Sequence, residues 1–407
     1  MRRWRRLRCY VDTAKAFGLL LLTLVMKVAD EVTKHARLVG IILSVALVWI
    51  IYSRFDPCHG RKITTKLCND YYHGEISGSI CPQLCREESI YLTWCTENGE
   101  EKSFWWGKML MRVPADLERD ERELTLVEGL LPSEFLALLL DYLNLQLGNG
   151  DMHNLARELK KFGDFNDDGK LSLGEAQSLW RLVHKREFLV MFIFQHSYGF
   201  PALNGTCGSL FGFQYPDVSA IYNKNVFPLN ILSSSAHTWF LPSWQQRAKV
   251  AVGILDVMFD IYEDNHIKFF MCDVKPTAIG HGPTHEAIVT DARHIYSSAM
   301  LANALENRTC SHDHHCHFSH YCTTMCDTRR QQCTGEITKP TLWQACHLLR
   351  EYLLFDAPPK LKPTLERLLS RCSHLIIYGQ SIDMSHVVLI TDLKTILWDH
   401  IKNMDVR

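Results

Sequence analysis

A mixed α+β fold, stapled by disulfides and carried beyond a single membrane-spanning segment, is what the sequence predicts. Three observations predict it. An apolar run, Leu38–Tyr52 (LVGIILSVALVWIIY), follows a tail rich in arginine. Of the 15 cysteines only Cys9 lies in that tail, and the other 14, an even number, all follow residue 57. Two short apolar runs, Phe269–Met271 and Ala287–Val289, lead to aspartates 18 residues apart, Asp273 and Asp291, with Lys275 just behind the first. Short strand-like runs set among long helical patterns are the signature of a mixed fold.

Composition narrows the classes. A chain of 407 residues allows more than one folded unit, and 47% hydrophobic with 22% charged residues is enough to bury a core. The net charge of −1 argues against nucleic acid as the partner. Cysteines gathered at Cys58–Cys95 and Cys310–Cys333 fit disulfides made in an oxidising compartment. Two sequons, Asn204-Gly205-Thr206 and Asn307-Arg308-Thr309, are compatible with glycosylation there.

Residues 1–37 read as a basic cytosolic tail, with five arginines in the first eight residues. Phe17–Met26 is apolar but, at ten residues, too short to span a bilayer, and no clear small-residue cleavage site follows it. The segment 38–53 approaches the lower limit for a spanning helix, and Trp49 and Tyr52 suit the interface. Arg2, Arg3, Arg5, Arg6, Arg8, Lys34 and Arg37 precede it, so the positive-inside rule sends everything after Tyr52 into the lumen, a single-pass type II arrangement. A buried core helix is the alternative.

Residues 54–103 hold Cys58, Cys68, Cys81, Cys85 and Cys95 with little helical periodicity, and read as a disulfide-stapled module. Cys81 and Cys85 have no matching His or Cys pair at zinc-finger spacing, which favours disulfides over zinc. Residues 104–113, FWWGKMLMRV, read as one strand carrying Arg112 and, nearby, Lys108. The acidic-basic stretch that follows reads as a solvated loop, and Leu131–Leu147 as a helix opened by Pro132 and Ser133.

The most specific local motif is DFNDDGKLSLGE, Asp164–Glu175. It meets every demand of a 12-residue calcium loop. Asp164, Asn166, Asp168, Ser172 and Glu175 offer oxygens at the ligand positions, and Lys170 contributes only its backbone carbonyl. Gly169 permits the sharp turn, and apolar stripes on both sides mark flanking helices, so an EF-hand insert spans about residues 152–186. An Asx-rich turn that binds nothing is the bland alternative.

Beyond it lies Glu187, inside a helix that passes into His196, Pro201 and a new strand. Such a glutamate can turn inward to pair a cation on the 104–113 strand, although a solvated helix glutamate is the commoner case. From Ser243 a long helix with Ala248, Val252, Leu255, Phe259 and Tyr262 on one face feeds the Asp273 segment. One aspartate to accept a hydroxyl proton, one to hold Mg²⁺ and a lysine for phosphate is the set that phosphoryl transfer needs. A hairpin with two solvated end-of-strand aspartates would read alike. Cys310, Cys316, Cys322, Cys326 and Cys333 are interleaved with His312, His314, His315, His317 and His320. Their irregular spacing favours disulfides over zinc. Thr341–Lys402 is helical in pattern, and Cys346 and Cys372 are candidates to bridge two of its helices.

Taken together, the apolar segment ending WIIYS, the calcium loop followed by Trp180, the CGSL segment at Cys207, RAKVAVGILD, the Cys272-Asp273 segment, the second cysteine cluster and KTILWDHI resemble the divergent protein kinase domain 1 group, also called "family with sequence similarity 69". The resemblance implies a bilobal protein-kinase-like lumenal domain, with an EF-hand insert in the small lobe, in the endoplasmic reticulum membrane. It implies a small lobe at 104–215 and a large lobe at 216–407 holding the 310–333 cysteine cluster. Asp273 matches the catalytic-loop aspartate, Lys275 the catalytic-loop lysine, Asp291 the metal-binding aspartate and Glu187 the C-helix glutamate, with Arg112 at the small-lobe lysine position. It further implies Ca²⁺ in the loop, ATP with Mg²⁺ or Mn²⁺ if the protein is active, and a lumenal or secretory-pathway protein as substrate or partner. Three departures stand out: Ala278 where a kinase has its second metal-binding Asn, Arg112 in place of lysine, and no G-x-G-x-x-G loop. The first two favour an inactive, calcium-responsive scaffold as the rival, and the retained Asp273–Asp291 pair favours the enzyme.

Overall fold

The computed structural model describes Ser44, Val45, Leu47 and residues 58–405, apart from 94, 99–100, 127–129, 149–151, 216–218, 221–241, 264–266, 275–277, 307, 320–321 and 375–380. The chain divides into two compact units, Met1–Arg61 and Lys62–Arg407. The basic tail at 1–37 and nearly all of the 38–53 segment lie outside the described residues, where only Ser44, Val45 and Leu47 are seen, in helical conformation. Among the described residues no helix is long and apolar enough to cross a membrane.

Two helices stand where the sequence suggests irregular chain: α1 (Gly60–Tyr72) and α2 (Cys81–Cys85). The apolar face of α1 is narrow, with Ile63 and Leu67 buried, so its periodicity is faint. A disulfide, Cys68–Cys85, joins the two helices, and Cys81–Cys207 ties α2 to the strand β4 (Ala202–Cys207). Beside that bond the Ile80 N–H donates to the Thr206 carbonyl at 3.1 Å. The cysteine-rich segment therefore packs against the sheet that follows it.

That sheet has five antiparallel strands in the order β1-β2-β3-β5-β4. They are β1 (Cys95–Asn98), β2 (Glu101–Trp106), β3 (Met109–Pro114), β4 and β5 (Leu210–Gln214). The single strand expected at 104–113 is a hairpin instead. Gly107, at φ 57, supplies the left-handed residue that a two-residue reversal needs, and Trp106 faces Met109 across it. Both halves are apolar, so the break is not visible in the hydrophobic pattern. The expected loop after it contains α3 (Leu117–Glu123), opened by Asp116, whose carboxylate accepts from the Arg119 N–H at 3.1 Å.

Four helices follow: α4 (Pro132–Leu147), α5 (His153–Gly163), α6 (Leu173–Val183) and α7 (Arg186–Ile193). The α4 helix buries Phe135, Leu139, Leu143 and Leu147, a stripe at every fourth residue. Only His184 and Lys185 separate α6 from α7. The short strand β6 (Ser219–Ala220) precedes the long helix α8 (Trp244–Glu263). Ser243 caps α8, its hydroxyl accepting from the Gln246 N–H at 3.3 Å. The fully buried Arg247 donates to the carbonyls of Tyr352 at 2.5 Å and Phe355 at 2.8 Å, satisfying the end of α10 (Thr341–Leu354). Strand β7 (Phe269–Met271) pairs with β10 (Ile295–Ser297), while β8 (Ile279–His281) pairs with β6 and β9 (Ala287–Val289). Helix α9 (Ser298–Leu305), the ribbon β11 (Thr324–Asp327)–β12 (Gln332–Ile337) and α10, α11 (Lys362–Cys372) and α12 (Ser381–Asp405) complete the unit. Cys346–Cys372 bridges α10 and α11.

All 14 cysteines from Cys58 onward are disulfide-bonded. Cys81–Cys207 closes a loop of sequence separation 126 and Cys68–Cys85 one of 17. On chain entropy the longer bond constrains the unfolded chain by about 2 kcal/mol more. Replacing Cys81 and Cys207 by alanine should therefore lower the denaturation midpoint further than replacing Cys68 and Cys85, as measured by urea unfolding of the two double variants; equal or reversed losses would contradict this.

Candidate functional site

The site assembles around a buried ion pair. Arg112 on β3 and Glu187 on α7 are 4% and 1% exposed, and the Arg112 Nε lies 3.0 Å from the Glu187 Oε2. The Arg112 Nη2 donates to the Glu187 Oε1 at 3.3 Å, and its Nη1 donates to the Ser103 hydroxyl directly across the β2–β3 ladder. The hairpin register delivers the arginine: with Ser103 opposite Arg112, the small hydroxyl leaves room for the guanidinium and satisfies one of its donors. The Glu187 Oε1 also accepts from the Ala292 N–H at 3.4 Å. One carboxylate thus holds the first sheet, helix α7 and the segment that begins at Asp291.

Arg186 doubles the link. Its guanidinium donates twice to the Arg293 carbonyl, at 2.9 and 2.5 Å, and lies over the Tyr296 ring at 3.9 Å. The start of α7 and residues 291–293 are therefore fixed to each other by side-chain to backbone bonds on consecutive residues.

Asp273 is buried just past β7, and the backbone of its described neighbours is pinned. The Met271 N–H donates to the Thr341 hydroxyl at 3.0 Å, that of Cys272 to the His294 carbonyl at 2.7 Å, and that of Val274 to the Gln344 Oε1 at 3.1 Å. Cys272 is further bonded to Cys322, and the Ser319 hydroxyl donates to its carbonyl at 3.1 Å. The Asp291 N–H reaches the Ala278 carbonyl at 3.3 Å, beside the β8–β9 ladder. The strands that lead to the two aspartates are thus not partners in one hairpin, because β7 pairs with β10 and β9 with β8. Lys275 lies outside the described residues, as does the β1–β2 connection at 99–100. Ala278 is described and buried, and contributes no polar side-chain atom.

The sequence reading gives Arg293 no role, yet it engages the Asp291 carboxylate on both oxygens. Its Nε donates to Oδ1 at 2.9 Å and its Nη2 to Oδ2 at 2.5 Å, while its own backbone N–H reaches Oδ1 at 3.1 Å. Burial alone would raise the Asp291 pKa, but these bonds and the Arg293 charge outweigh it and hold the carboxyl below its ordinary value. The signal was present as an Asp-x-Arg pair two residues apart at a turn, where a fork can fold back on a carboxylate. Glu101, on β2, is a second residue the sequence did not mark. Burial raises its pKa, while Arg112, Arg293 and Lys185 pull it down.

The Asp164–Glu175 loop joins α5 to α6, with Gly169 at φ 77. The Asp164 carboxylate accepts from the N–H groups of Asp168 at 3.1 Å and Gly169 at 2.8 Å, and the Asn166 Oδ1 accepts from Asp168 N–H at 3.0 Å. Glu175 is buried, and its Oε2 accepts from the Ser172 N–H and hydroxyl, both at 2.8 Å. Asn166, Asp168 and Lys170 are exposed on the same loop. Asp164, Asn166, Asp168 and Glu175 thus lie on one short segment between α5 and α6, but the carboxylates of Asp164, Asp168 and Glu175 do not all lie within 4.8 Å of one another.

A five-stranded lobe whose buried strand cation pairs a helix glutamate, joined to a mostly helical lobe with two pinned aspartate segments, defines a protein-kinase-like domain with a disulfide-rich N-terminal region. Comparison with known families agrees. Residues 179–375 match the family described as the protein-kinase domain of FAM69, and residues 32–113 match its N-terminal cysteine-rich ER region. The two matches together cover well over half of the chain, which belongs to the FAM69 family. The description of the N-terminal region supports the endoplasmic reticulum as its location, which agrees with the disulfide bonding of the 14 cysteines from Cys58 onward.

Burial pushes the Glu187 carboxyl up to about 7, against the pull of Arg112. Because the folded value exceeds the unfolded one, the folded state holds the extra proton, and the stability contribution falls as pH rises from the unfolded pKa of 4.5 toward 7. Glu187→Gln should flatten that slope: thermal melts from pH 5 to pH 8 should show wild type losing stability relative to the variant, and parallel curves would rule the assignment out.

Proposed function

We propose that this protein is a single-pass type II membrane protein of the endoplasmic reticulum whose lumenal domain transfers phosphate from ATP to a protein hydroxyl, under a calcium-binding EF-hand insert. The observation that carries the reading is the buried Arg112–Glu187 pair bonded onward to the Ala292 backbone. Two charges are costly to bury, and a pair placed to link a nucleotide-lobe strand to a metal-loop segment is what phosphoryl transfer uses. In this reading Arg112 meets the phosphates of ATP, Asp273 accepts the proton of the attacking hydroxyl, and Lys275 neutralises the γ-phosphate. Asp291 is the carboxylate for Mg²⁺ or Mn²⁺, which would offset charge on the phosphate oxygens. Its two oxygens suit a hard cation, provided that Arg293 swings away from them. Asp164, Asn166, Asp168, Ser172 and Glu175, with the Lys170 carbonyl, are the ligand set for Ca²⁺, a cation that takes six to eight oxygens.

The 38–53 segment, basic on its N-terminal side, supports the membrane topology, and a secretory-pathway protein is the partner such a domain would meet. A second reading has a specific observation behind it. The Arg293 clamp on Asp291 and the apolar Ala278 both weaken the metal grip, which fits a nucleotide-binding scaffold without turnover.

Three outcomes follow for the full chain. Asp273→Ala should abolish phosphate transfer to protein while leaving the melting temperature within a few degrees; if wild type transfers none with either Mg²⁺ or Mn²⁺, the scaffold reading stands. Arg293→Ala should strengthen metal-dependent ATP binding measured by titration calorimetry, and unchanged affinity would remove the clamp from the account. Ca²⁺ at a hundredfold excess over its dissociation constant should stabilise the fold by about 2.7 kcal/mol. Glu175→Gln should remove that gain, and a Ca²⁺ shift that survives it would place the cation elsewhere.

A further inference from the structure

The second cysteine cluster leaves its histidines to another task. Cys310–Cys326 and Cys316–Cys333 are disulfides, so their sulfurs are closed to metals. Between them the chain makes a single 3-10 turn, Asp313–His315, preceded by His312. His312, His314 and His315 are close-set: one ring nitrogen of each lies within 4.8 Å of the others. The ring centroids are 5.2 Å apart for His312–His314, 5.5 Å for His312–His315 and 4.9 Å for His314–His315.

The backbone beneath them is held firmly. The His315 N–H donates to the His312 carbonyl at 3.0 Å, and that of Cys316 to the Asp313 carbonyl at 2.9 Å. The Asp313 carboxylate, the one acid in the turn, accepts from the Cys326 N–H at 2.8 Å across the module. Two disulfides of sequence separation 16 and 17 close around the turn. The Ser311 hydroxyl lies 2.8 Å from the His312 Nδ1, an outer partner able to orient that ring. Three imidazoles on a rigid turn lose little backbone entropy on binding a common ion. All three are exposed, so side-chain rotation can bring the nitrogens from within 4.8 Å to the roughly 3.3 Å that tetrahedral Zn–N distances near 2.0–2.1 Å require, a closure of at most about 1.5 Å.

We propose that His312, His314 and His315 form a surface site for a divalent transition metal of the zinc class, distinct from the calcium loop and from the Asp273–Asp291 region. The donor set decides the class. Three neutral nitrogens suit Zn²⁺, Cu²⁺ or Ni²⁺ and not the oxygen-seeking Ca²⁺ and Mg²⁺. The three ligands leave a coordination position for water or for a ligand from a partner. The module is joined to the Asp273 segment by Cys272–Cys322, so the metal would sit on the same covalently tied frame.

The test is Zn²⁺ titration calorimetry on the purified full-length chain with Ca²⁺ in excess. One equivalent of Zn²⁺ is expected. Each of His312→Ala, His314→Ala and His315→Ala should weaken it at least about tenfold, since even outer-shell changes cost 10–100-fold. His73→Ala, at an exposed histidine elsewhere, should leave it unchanged. The exposed positions allow each variant to fold, which its unchanged melting curve without metal would document. Absence of Zn²⁺ uptake, uptake insensitive to any of the three variants, or equal weakening by His73→Ala would overturn the site.

Discussion

The Arg112–Glu187 pair is the constraint on which the rest of the domain depends. Removing two charges from water costs several kcal/mol each, and the cost is offset only when both partners and their remaining hydrogen-bond groups are satisfied. Here Ser103 takes one arginine donor and the Ala292 N–H meets the glutamate, whereas the Arg112 Nε and Glu187 Oε2, 3.0 Å apart, make no hydrogen bond and interact through charge alone, so the offset is partial. The β2–β3 register, the rotation of α7 and the path of residues 291–293 must all be right for the pair to exist. A slip of one residue in the hairpin would turn Arg112 to the other face of the sheet. Burial still presses on Glu187 hard enough to raise its carboxyl, so this link is poised rather than inert.

Covalent bonds do for the large lobe what the ion pair does for the small one. The Asp273 segment is short, and its strand has three residues. Three backbone hydrogen bonds and the Cys272–Cys322 bond hold it against α10 and the second cysteine module. At the other end Cys81–Cys207 brings the cysteine-rich segment onto the sheet. The disulfides thus sit where chain positions need fixing, at the aspartate loop and at the edge strand of the sheet. Within the small lobe, α6 passes into α7 with only two residues between, so the loop at Asp164–Glu175 and the glutamate of the ion pair lie on one continuous helical path.

Much of the fold was legible. Helix α4 showed its stripe at every fourth residue and α8 its cap and buried face, because each depends on local spacing alone. The elements that escaped had a faint or misleading local signal. Helix α1 buries only a narrow face, α3 is charged at every position after Leu117, and the hairpin reads as one apolar run until Gly107 reverses it. In the site, Glu187 and Arg112 were nameable as partners, whereas the engagement of Asp291 by Arg293 was not read, since a fork closing on a carboxylate two residues away depends on the turn between them.

By itself the sequence determined the disulfide-rich character, the helical large lobe, the family resemblance and the identity of the residues able to carry chemistry, since composition and short-range periodicity encode these. Only the tertiary structure decided which groups meet. Arg112 and Glu187 are 75 positions apart, and Cys81 and Cys207 are 126 apart. Partners at such separations are chosen by the packing of whole elements, which local patterns do not specify. The same holds at close range for His312, His314 and His315, whose nitrogens converge because two disulfides and a turn fold them onto one side.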